Sequence, residues 1–374
     1  MSLRYRSLIL PGLFWASAAY NMAVVSFTTG NIKNALHLST AYGNLLIGLL
    51  TSITLIGWFF GSVIFGHLSD KVGRRKIVII ALPLHVLSTA LMYFANSYWE
   101  FFILRLLAGI GFGMTIPTLS ALISEKAPAE IRGRMVVLLD SFWTYGWIFS
   151  ALVSMFYTSS LWRVYYLTSL MWLLLLPFSR ILPETVVTGR EKVHMAEILK
   201  YRHTYVLWGI WFIMAMSYYG IFSWLPTIME KNYPLLTSRV FVFTTYLFQI
   251  PGYFSAAYLI EKIERRYVLF LFMLLTSIGA YMFIAGLVIP GAVMISFFDL
   301  GAWGAIYAIT PELYPSRIKG SGAGAANSVG RVGGLIGPLI KGFFPDFTLF
   351  LIFTFSLFGG SLLSLLLPSK GRND

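Results

Sequence analysis

Long apolar segments recur along nearly the whole chain, and they constrain its fold more than any other feature. Each is about 20 residues long, enough for a helix to cross a hydrocarbon core of about 30 Å. Inside a bilayer only helices and closed barrels satisfy their own backbone groups. The sequence therefore predicts an all-α integral membrane protein with twelve spans, at 8–30, 42–65, 77–95, 101–123, 135–157, 161–182, 204–229, 239–260, 268–288, 291–310, 321–343 and 347–367.

The composition excludes several classes of protein. Hydrophobic residues make up 57% of the chain and charged residues 11%, whereas soluble domains carry roughly a quarter charged residues. The net charge of +13 comes from short basic clusters between apolar runs, which does not fit a nucleic-acid-binding face. There is no Cys and no HExxH pattern, so we expect no cofactor and no metal.

The basic residues indicate how the chain is oriented. Of 28 Lys and Arg, 21 lie in the even-numbered loops and the two tails. Positive residues collect on the cytoplasmic side of membrane proteins. We therefore expect a multi-pass protein of the cell membrane, in contact with lipids, with both termini in the cytoplasm. The odd-numbered loops hold only Lys33, Arg163, Lys231, Arg239 and Lys341.

An internal repeat divides the chain. The pattern Glu125, Pro128, Arg132, Gly133 after the fourth span recurs as Glu312, Pro315, Lys319, Gly320 after the tenth, offset by 187 residues. Repeats of this kind are typical of transporters built from two related bundles. We predict two pseudo-symmetric six-helix bundles, residues 1–182 and 204–374, joined by a polar cytoplasmic linker at 183–203.

The loop after the second span reads GHLSDKVGRRK from Gly66 to Lys76. It resembles the GxLxDrxGRR signature of the major facilitator superfamily at Gly66, Leu68, Asp70, Gly73, Arg74 and Arg75. The resemblance implies a gate, in which Gly66 allows close helix approach and the arginines pair with Glu125 only when the two halves touch. The alternative is that these charges merely orient the chain. The predicted gate residues are Gly66, Asp70, Gly73, Arg74, Arg75, Glu125, Arg132, Glu312 and Lys319.

Two further segments narrow the resemblance. SFWTYGW at 141–147 and YGIFSWLP at 219–226 look like the metabolite, niacin, aromatic-acid and organic-ion transporters related to sugar porters. The resemblance implies a secondary transporter of a small organic anion, such as an aromatic monocarboxylate, working by alternating access and proton-coupled in relatives. No nucleophile–base pair or nucleotide loop supports an enzyme. The alternatives are a facilitative uniporter of sugar or organic cation, and a transporter-like receptor without turnover.

Four ionisable residues lie inside predicted spans: Arg105, Asp140, Asp299 and Arg331. Charges at membrane depth are costly and are functional candidates by default. The resemblance implies that Arg331 contacts a substrate carboxylate through its fork of donors. Asp299 would hold Arg331 without substrate or accept a coupled proton, as Asp140 could. The alternative is that the charges pair permanently and staple helices.

Asn21 departs from the resemblance. Proton-coupled relatives carry Asp at this place, paired with an arginine equivalent to Arg105. Three explanations stay open: a uniporter, a proton site moved to Asp140 or Asp299, or an Asp-to-Asn substitution that traps one state. We further expect Tyr145, Tyr219, Trp224 and Gln249 to contact a small-molecule substrate, His85 to be a satisfied packing residue, and the protein to be a monomer.

Overall fold

The computed structural model describes residues 7–38, 40–128, 131–185, 195–315 and 318–368. Within these ranges the chain forms α-helices, short 3₁₀ segments and turns, and it contains no strand. The predicted all-α membrane fold is confirmed. Residues 186–194 of the predicted linker lie outside the described part.

The chain divides into two compact units. Unit 1 comprises 1–190 together with 223–243, and unit 2 comprises 191–222 and 244–374. Residues 223–243, which lie in the second half of the sequence, thus pack with the first. The predicted bundle boundaries stay a prediction.

The first eight helices belong to unit 1. They are α1 (Ile9–Ala23), α2 (Thr29–Ala35), α3 (Thr40–Val72), α4 (Arg74–Leu91), α5 (Tyr98–Lys126), α6 (Arg132–Asp140), α7 (Phe142–Ser154) and α8 (Val164–Leu167). The close approach of α1 and α7 depends on Gly146, where an added Cβ would meet the backbone carbonyl of Ala16.

The remaining helices are α9 (Met195–Ile198), α10 (His203–Asn232), α11 (Leu235–Leu247), α12 (Gln249–Leu259), α13 (Arg265–Ile284), α14 (Val288–Ile309), α15 (Lys319–Ile340) and α16 (Asp346–Ser364). In unit 2, α14 packs against α12 and α13, and α13 packs against α16. The boundary between the units crosses α10 and α11.

Ten of the twelve predicted spans are helical segments long and apolar enough to cross a bilayer, counted over the described residues. The predicted eighth span is instead broken between α11 and α12. Pro251 has no N–H for the carbonyl of Leu247, and α11 ends at Leu247. The predicted eleventh span is the continuous 22-residue α15, whose many glycines and Arg331 reduce its apolar character.

Two other spans depart from regular α-helix. The fifth span is interrupted at Ser141, between α6 and α7. The sixth, Val164–Ile181, consists mostly of 3₁₀ turns after α8, at Thr168–Leu175 and Pro177–Ile181. Such runs rarely exceed four residues, so this span is unusual in its backbone as well as in its low burial.

Candidate functional site

Arg105 and Asn21 meet inside unit 1. Arg105 is 1% exposed, and its Nη1 donates a hydrogen bond to the backbone carbonyl of Asn21 at 3.1 Å. Its Nη2 lies 3.4 Å from the Sδ of Met22. The guanidinium therefore contacts residue 21 through its backbone carbonyl, although the side chain at this position is an amide and not a carboxylate. Among the described residues its Nε has no hydrogen-bond partner.

His85 completes this cluster, contrary to the expectation that it is a satisfied packing residue. Its Nδ1 lies 3.5 Å from the Nδ2 of Asn21, which also donates to the carbonyl of Ser17 at 2.7 Å. In the described part of the chain, neither the Nε2 of His85 nor the Oδ1 of Asn21 has a partner. An amide donor facing Nδ1 requires that nitrogen to accept, so its lone pair points at Asn21.

Arg331 lies in unit 2, twelve residues into α15, about 18 Å along the helix. Its Nη1 donates to the hydroxyl of Tyr219 at 3.0 Å, and its Nε donates to the Oδ1 of Asn327 at 3.2 Å. Asn327 is one turn away on α15, so helix geometry fixes this contact. Both oxygens are neutral, and they orient the guanidinium at mid-helix depth.

Aromatic rings extend from Tyr219 across α10 and α14. Tyr218 stands edge-on to Tyr219 at 5.1 Å between ring centroids and edge-on to Trp303 at 5.9 Å. Trp303 also packs edge-on against Trp211 at 5.5 Å, whose indole nitrogen donates to the hydroxyl of Thr310 at 2.9 Å. Edge-to-face arrangements are favourable for aromatic pairs. Arg331 therefore lies at one end of an aromatic wall.

Asp299 lies near the other end of this wall, one turn before Trp303. The carboxyl is 2% exposed, and its Oδ2 has no hydrogen-bond partner among the described residues. Gln249 and Ser296 are also fully buried, with the amide atoms of one and the hydroxyl of the other lacking partners there. Unit 2 thus holds several buried polar atoms that can accept or donate.

The predicted gate contains an ion pair within unit 1. Arg74, the first residue of α4, donates from Nη2 to the Oε1 of Glu125 at 2.9 Å. Thr185 donates to the other oxygen of Glu125 at 2.7 Å, and Arg74 also donates to the Oγ of Ser69 at 2.6 Å. All four residues belong to unit 1, so the other half supplies none of these partners; that the pair forms only when the halves touch stays a prediction.

Two gate glycines have different environments. Gly73 has φ +106°, a left-handed conformation that favours glycine, and it turns the chain into α4. Two residues later, Arg75 donates from its backbone N–H to the Oε1 of Glu184 at 3.1 Å. A Cβ on Gly66 would meet nothing within 4 Å, so the close approach expected at Gly66 is not present. The side chains of Asp70 and Arg132 lie outside the described set.

Unit 2 contains a matching ion pair. Arg265, the first residue of α13, pairs with Glu312 as Arg74 pairs with Glu125. The loop EKIERR at 261–266 lacks the glycines found at 66 and 73, yet an equivalent contact is present. Arg265 is 26% exposed and Arg74 only 3%, so the Arg265–Glu312 pair is more accessible to solvent than the Arg74–Glu125 pair. Lys319, the repeat partner of Arg132, is exposed.

Arg239 forms a contact that the sequence analysis missed. Its side chain is 3% exposed, and its Nη1 donates to the backbone carbonyls of Ser154 and Tyr157 at the end of α7. Its Nε lies 3.5 Å from the Oε1 of Glu230. We call these four residues the Arg239 latch. The sequence does not distinguish Arg239 from the other basic loop residues. Two of its partners are backbone carbonyls, which every residue carries, so no side-chain pattern marks the contact.

The remaining predicted site residues occupy separate places. Tyr145 is 37% exposed and stands edge-on to Phe142. Trp224 is 3% exposed in the unit 1 part of α10. Asp140 is half-buried at the end of α6, where the fifth span breaks. None of these three belongs to the Arg331 cluster of unit 2.

Known proteins resemble the chain over most of its length. The putative niacin/nicotinamide transporter NiaP of Bacillus subtilis is 37% identical over 348 residues, covering 88% of this chain and 86% of that protein. The niacin transporter NiaP of Acinetobacter baylyi is 32% identical, covering 90% of this chain and 86% of that protein. A crystal structure of a D-xylose–proton symporter matches with a TM-score of 0.82 at 18% identity, covering 100% of both chains.

The helical fold and these relatives define the class: the protein is a multi-pass membrane transporter of a small molecule, and not an enzyme. The family model described as Major Facilitator Superfamily matches residues 9–338. The chain therefore belongs to the major facilitator superfamily.

Proposed function

We propose that the protein transports a small aromatic monocarboxylate, of the pyridine-carboxylate type, by alternating access in the cell membrane. The observation that carries the proposal is Arg331, held at mid-helix depth by Tyr219 and Asn327 at the end of an aromatic wall. A guanidinium fork matches a carboxylate, and the edge-on rings of Tyr218 and Trp303 suit a flat ring. The relatives named niacin transporters support the same chemistry.

The buried polar atoms of unit 2 would complete the recognition of such a substrate. Gln249 can both donate and accept, and Asp299 can accept. Buried polar groups without partners cost about 1–3 kcal/mol each, and a substrate with a ring nitrogen or an amide would offset part of this cost. The carboxylate is thus assigned to Arg331, and the neutral polar part of the substrate to Gln249 and Asp299.

A second candidate substrate class is an organic cation, because Asp299 is a buried carboxyl whose Oδ2 has no hydrogen-bond partner among the described residues. Transport is proposed to be facilitative, without coupling to an ion gradient. Position 21 holds an amide, and the guanidinium of Arg105 contacts a backbone carbonyl there instead of an acid. We also propose that both termini are cytoplasmic, as the distribution of basic residues predicts.

The experiment is a thermal-shift screen of purified protein with nicotinate, benzoate, nicotinamide, xylose and tetraethylammonium, followed by counterflow in proteoliposomes. A ligand at 100 times its Kd stabilises the folded state by about 2.7 kcal/mol. We expect nicotinate to raise the Tm and to drive counterflow, and xylose to do neither. Stabilisation by xylose or tetraethylammonium alone would contradict the proposal, and binding without counterflow would indicate a receptor.

A further inference from the structure

Unit 1 contains a cavity of about 380 Å³ at the face where α3 begins, whereas Arg74 follows the other end of α3. Its walls come from α2 and the start of α3 on one side, and from the end of α10 on the other. The polar lining includes Asn31, Lys33, Asn44, Thr227, Glu230 and Lys231. Small-molecule sites usually enclose about 300–1,000 Å³, so a substrate-sized molecule fits here.

Two basic residues and one acidic residue line this cavity. Lys33 and Lys231 are two of the five basic residues in the odd-numbered loops, and both line the same space. The Nζ of Lys33 donates to the Oδ1 of Asn44 at 3.0 Å, and both of these side chains belong to the lining. Glu230 is the one acidic residue in the described lining, and it faces the guanidinium of Arg239.

The cavity also offers surfaces for the uncharged part of a ligand. Trp224 and Ile47 line it and are 3% and 1% exposed, so their positions are fixed by packing. Asn31 and Asn44 add amide donors and acceptors. The ammonium groups suit a carboxylate, and the indole suits a flat ring.

The position of the cavity links it to closure of this face. Thr29 and Thr227 line the cavity and hydrogen-bond to each other through their hydroxyls. Glu230 connects the cavity wall to the Arg239 latch. A molecule in the cavity therefore lies beside the contacts that would have to separate before this face opens.

We propose that this cavity is a peripheral binding site, where the transported organic anion is captured by Lys33 and Lys231 before the latch opens. The inference rests on the proposed function, since it takes the substrate to be an organic anion. A positively charged concavity concentrates anions and speeds their association. The site would act on capture and leave the later conformational steps unchanged.

The test is uptake of labelled nicotinate into proteoliposomes made of phosphatidylcholine alone, with the cavity facing the external solution. For Lys33→Gln/Lys231→Gln we expect the KM to rise about three- to tenfold at low ionic strength. The maximal rate should be unchanged, and the difference should shrink near 0.5 M salt because the charges become screened. Lys33→Arg/Lys231→Arg should keep the original KM.

The matched control is Lys200→Gln/Lys262→Gln, which removes the same net charge from exposed positions of the even-numbered loops. An equal rise in KM for this control, or an unchanged KM for the cavity variant, would overturn the site. So would an effect that appears only after phosphatidylglycerol is added, because the cavity would then bind a lipid headgroup. If nicotinate neither stabilises nor crosses the membrane with any variant, the proposed function itself has failed.

Discussion

The guanidinium of Arg105 hydrogen-bonds to the backbone carbonyl of Asn21 across 3.1 Å, and the ring of His85 faces the amide of the same asparagine at 3.5 Å. Residue 21 therefore lies between a fixed cation and an imidazole whose Nδ1 accepts. A side-chain carboxylate at this position would find the guanidinium of Arg105 already in place, and His85 would donate to it once the ring proton moves to Nδ1. This arrangement makes energy coupling testable with a nearly isosteric change.

Asn21→Asp is expected to convert facilitated transport into proton-driven accumulation. The acid would pair with Arg105 when ionised and release it when protonated, which links protonation to the conformational equilibrium. For one proton per substrate, a gradient of one pH unit would support about tenfold accumulation, since a unit corresponds to 1.36 kcal/mol. The measurement is uptake of labelled nicotinate into proteoliposomes with an imposed pH gradient.

The original chain is expected to equilibrate its substrate under the same gradient without accumulating it. Accumulation by the original chain would show that another residue couples protons. In that event Asp299→Asn and Asp140→Asn should be compared. The coupling residue is the one whose neutralisation abolishes accumulation and preserves exchange of labelled for unlabelled substrate.

Arg331→Lys should weaken nicotinate binding by roughly 10- to 100-fold, because Lys keeps the charge and loses the planar fork. The Tm of the ligand-free protein should change little. Arg266→Lys is the matched control, since Arg266 lies in the same unit and pairs with Glu264 at 2.8 Å. Equal affinities for both variants would show that the substrate carboxylate does not bind at Arg331. Loss of folding would instead indicate that this arginine has a purely structural role.

Arg239→Gln should reduce the transport rate at least about tenfold and change the Kd less than about threefold. Removing the guanidinium leaves Glu230 and the carbonyls of Ser154 and Tyr157 without their donor, and loss of such contacts shifts a conformational equilibrium. The measurement is turnover in proteoliposomes beside binding in detergent.

Arg163→Gln is the control for the latch. Arg163 also donates to two backbone carbonyls, those of Tyr93 and Ala95 at 3.1 and 2.6 Å. Its partners lie early in the chain, in the third span and the loop after it. If both variants slow transport equally, carbonyl capping in general is responsible and the latch has no special role.

Glu125→Gln should destabilise the protein more than Glu312→Gln. Arg74 is 3% exposed and would stay buried without its carboxylate, which costs about 3–5 kcal/mol. Arg265 is 26% exposed, and exposed pairs contribute only about 0–1 kcal/mol. Thermal unfolding of the two variants in one detergent provides the comparison, and equal shifts in Tm would contradict the difference in burial.

Gly73→Ala should slow transport more than it weakens substrate binding. The backbone at Gly73 has φ +106°, where a Cβ is strained, and the added methyl would also press on Glu184. Gly66→Ala is the control, because a Cβ there meets nothing within 4 Å. A parallel fall in binding and turnover would argue against a gating role for this loop.

The sequence predicted the spans well because a continuous apolar run has few outcomes in a bilayer. The break in the eighth span could have been predicted from Pro251, which cannot continue the hydrogen bonding of α11. The break at Ser141 has no comparable signal, since residues 134–140 before it include neither proline nor glycine. It arises from packing that the sequence does not display.

Candidate site residues could be selected where a charge stands alone in an apolar run, as Arg105 and Arg331 do. Their partners were harder to predict. Arg331 contacts Tyr219 and Asn327, whereas the sequence favoured Asp299, because charge alone does not say which neighbour is within reach. The Arg239 latch was not predictable at all, since it joins positions 85 and 82 residues apart through backbone carbonyls.

The 3₁₀ turns of the sixth span have a consequence for the surrounding lipid. A 3₁₀ helix rises about 2.0 Å per residue instead of 1.5, so the 18 residues from Val164 to Ile181 reach about 6 Å further than an α-helix of equal length. Only 28% of this segment is buried inside the protein, so few internal contacts fix its length. Such a segment would match a thicker membrane by staying stretched and a thinner one by tightening towards α-helix.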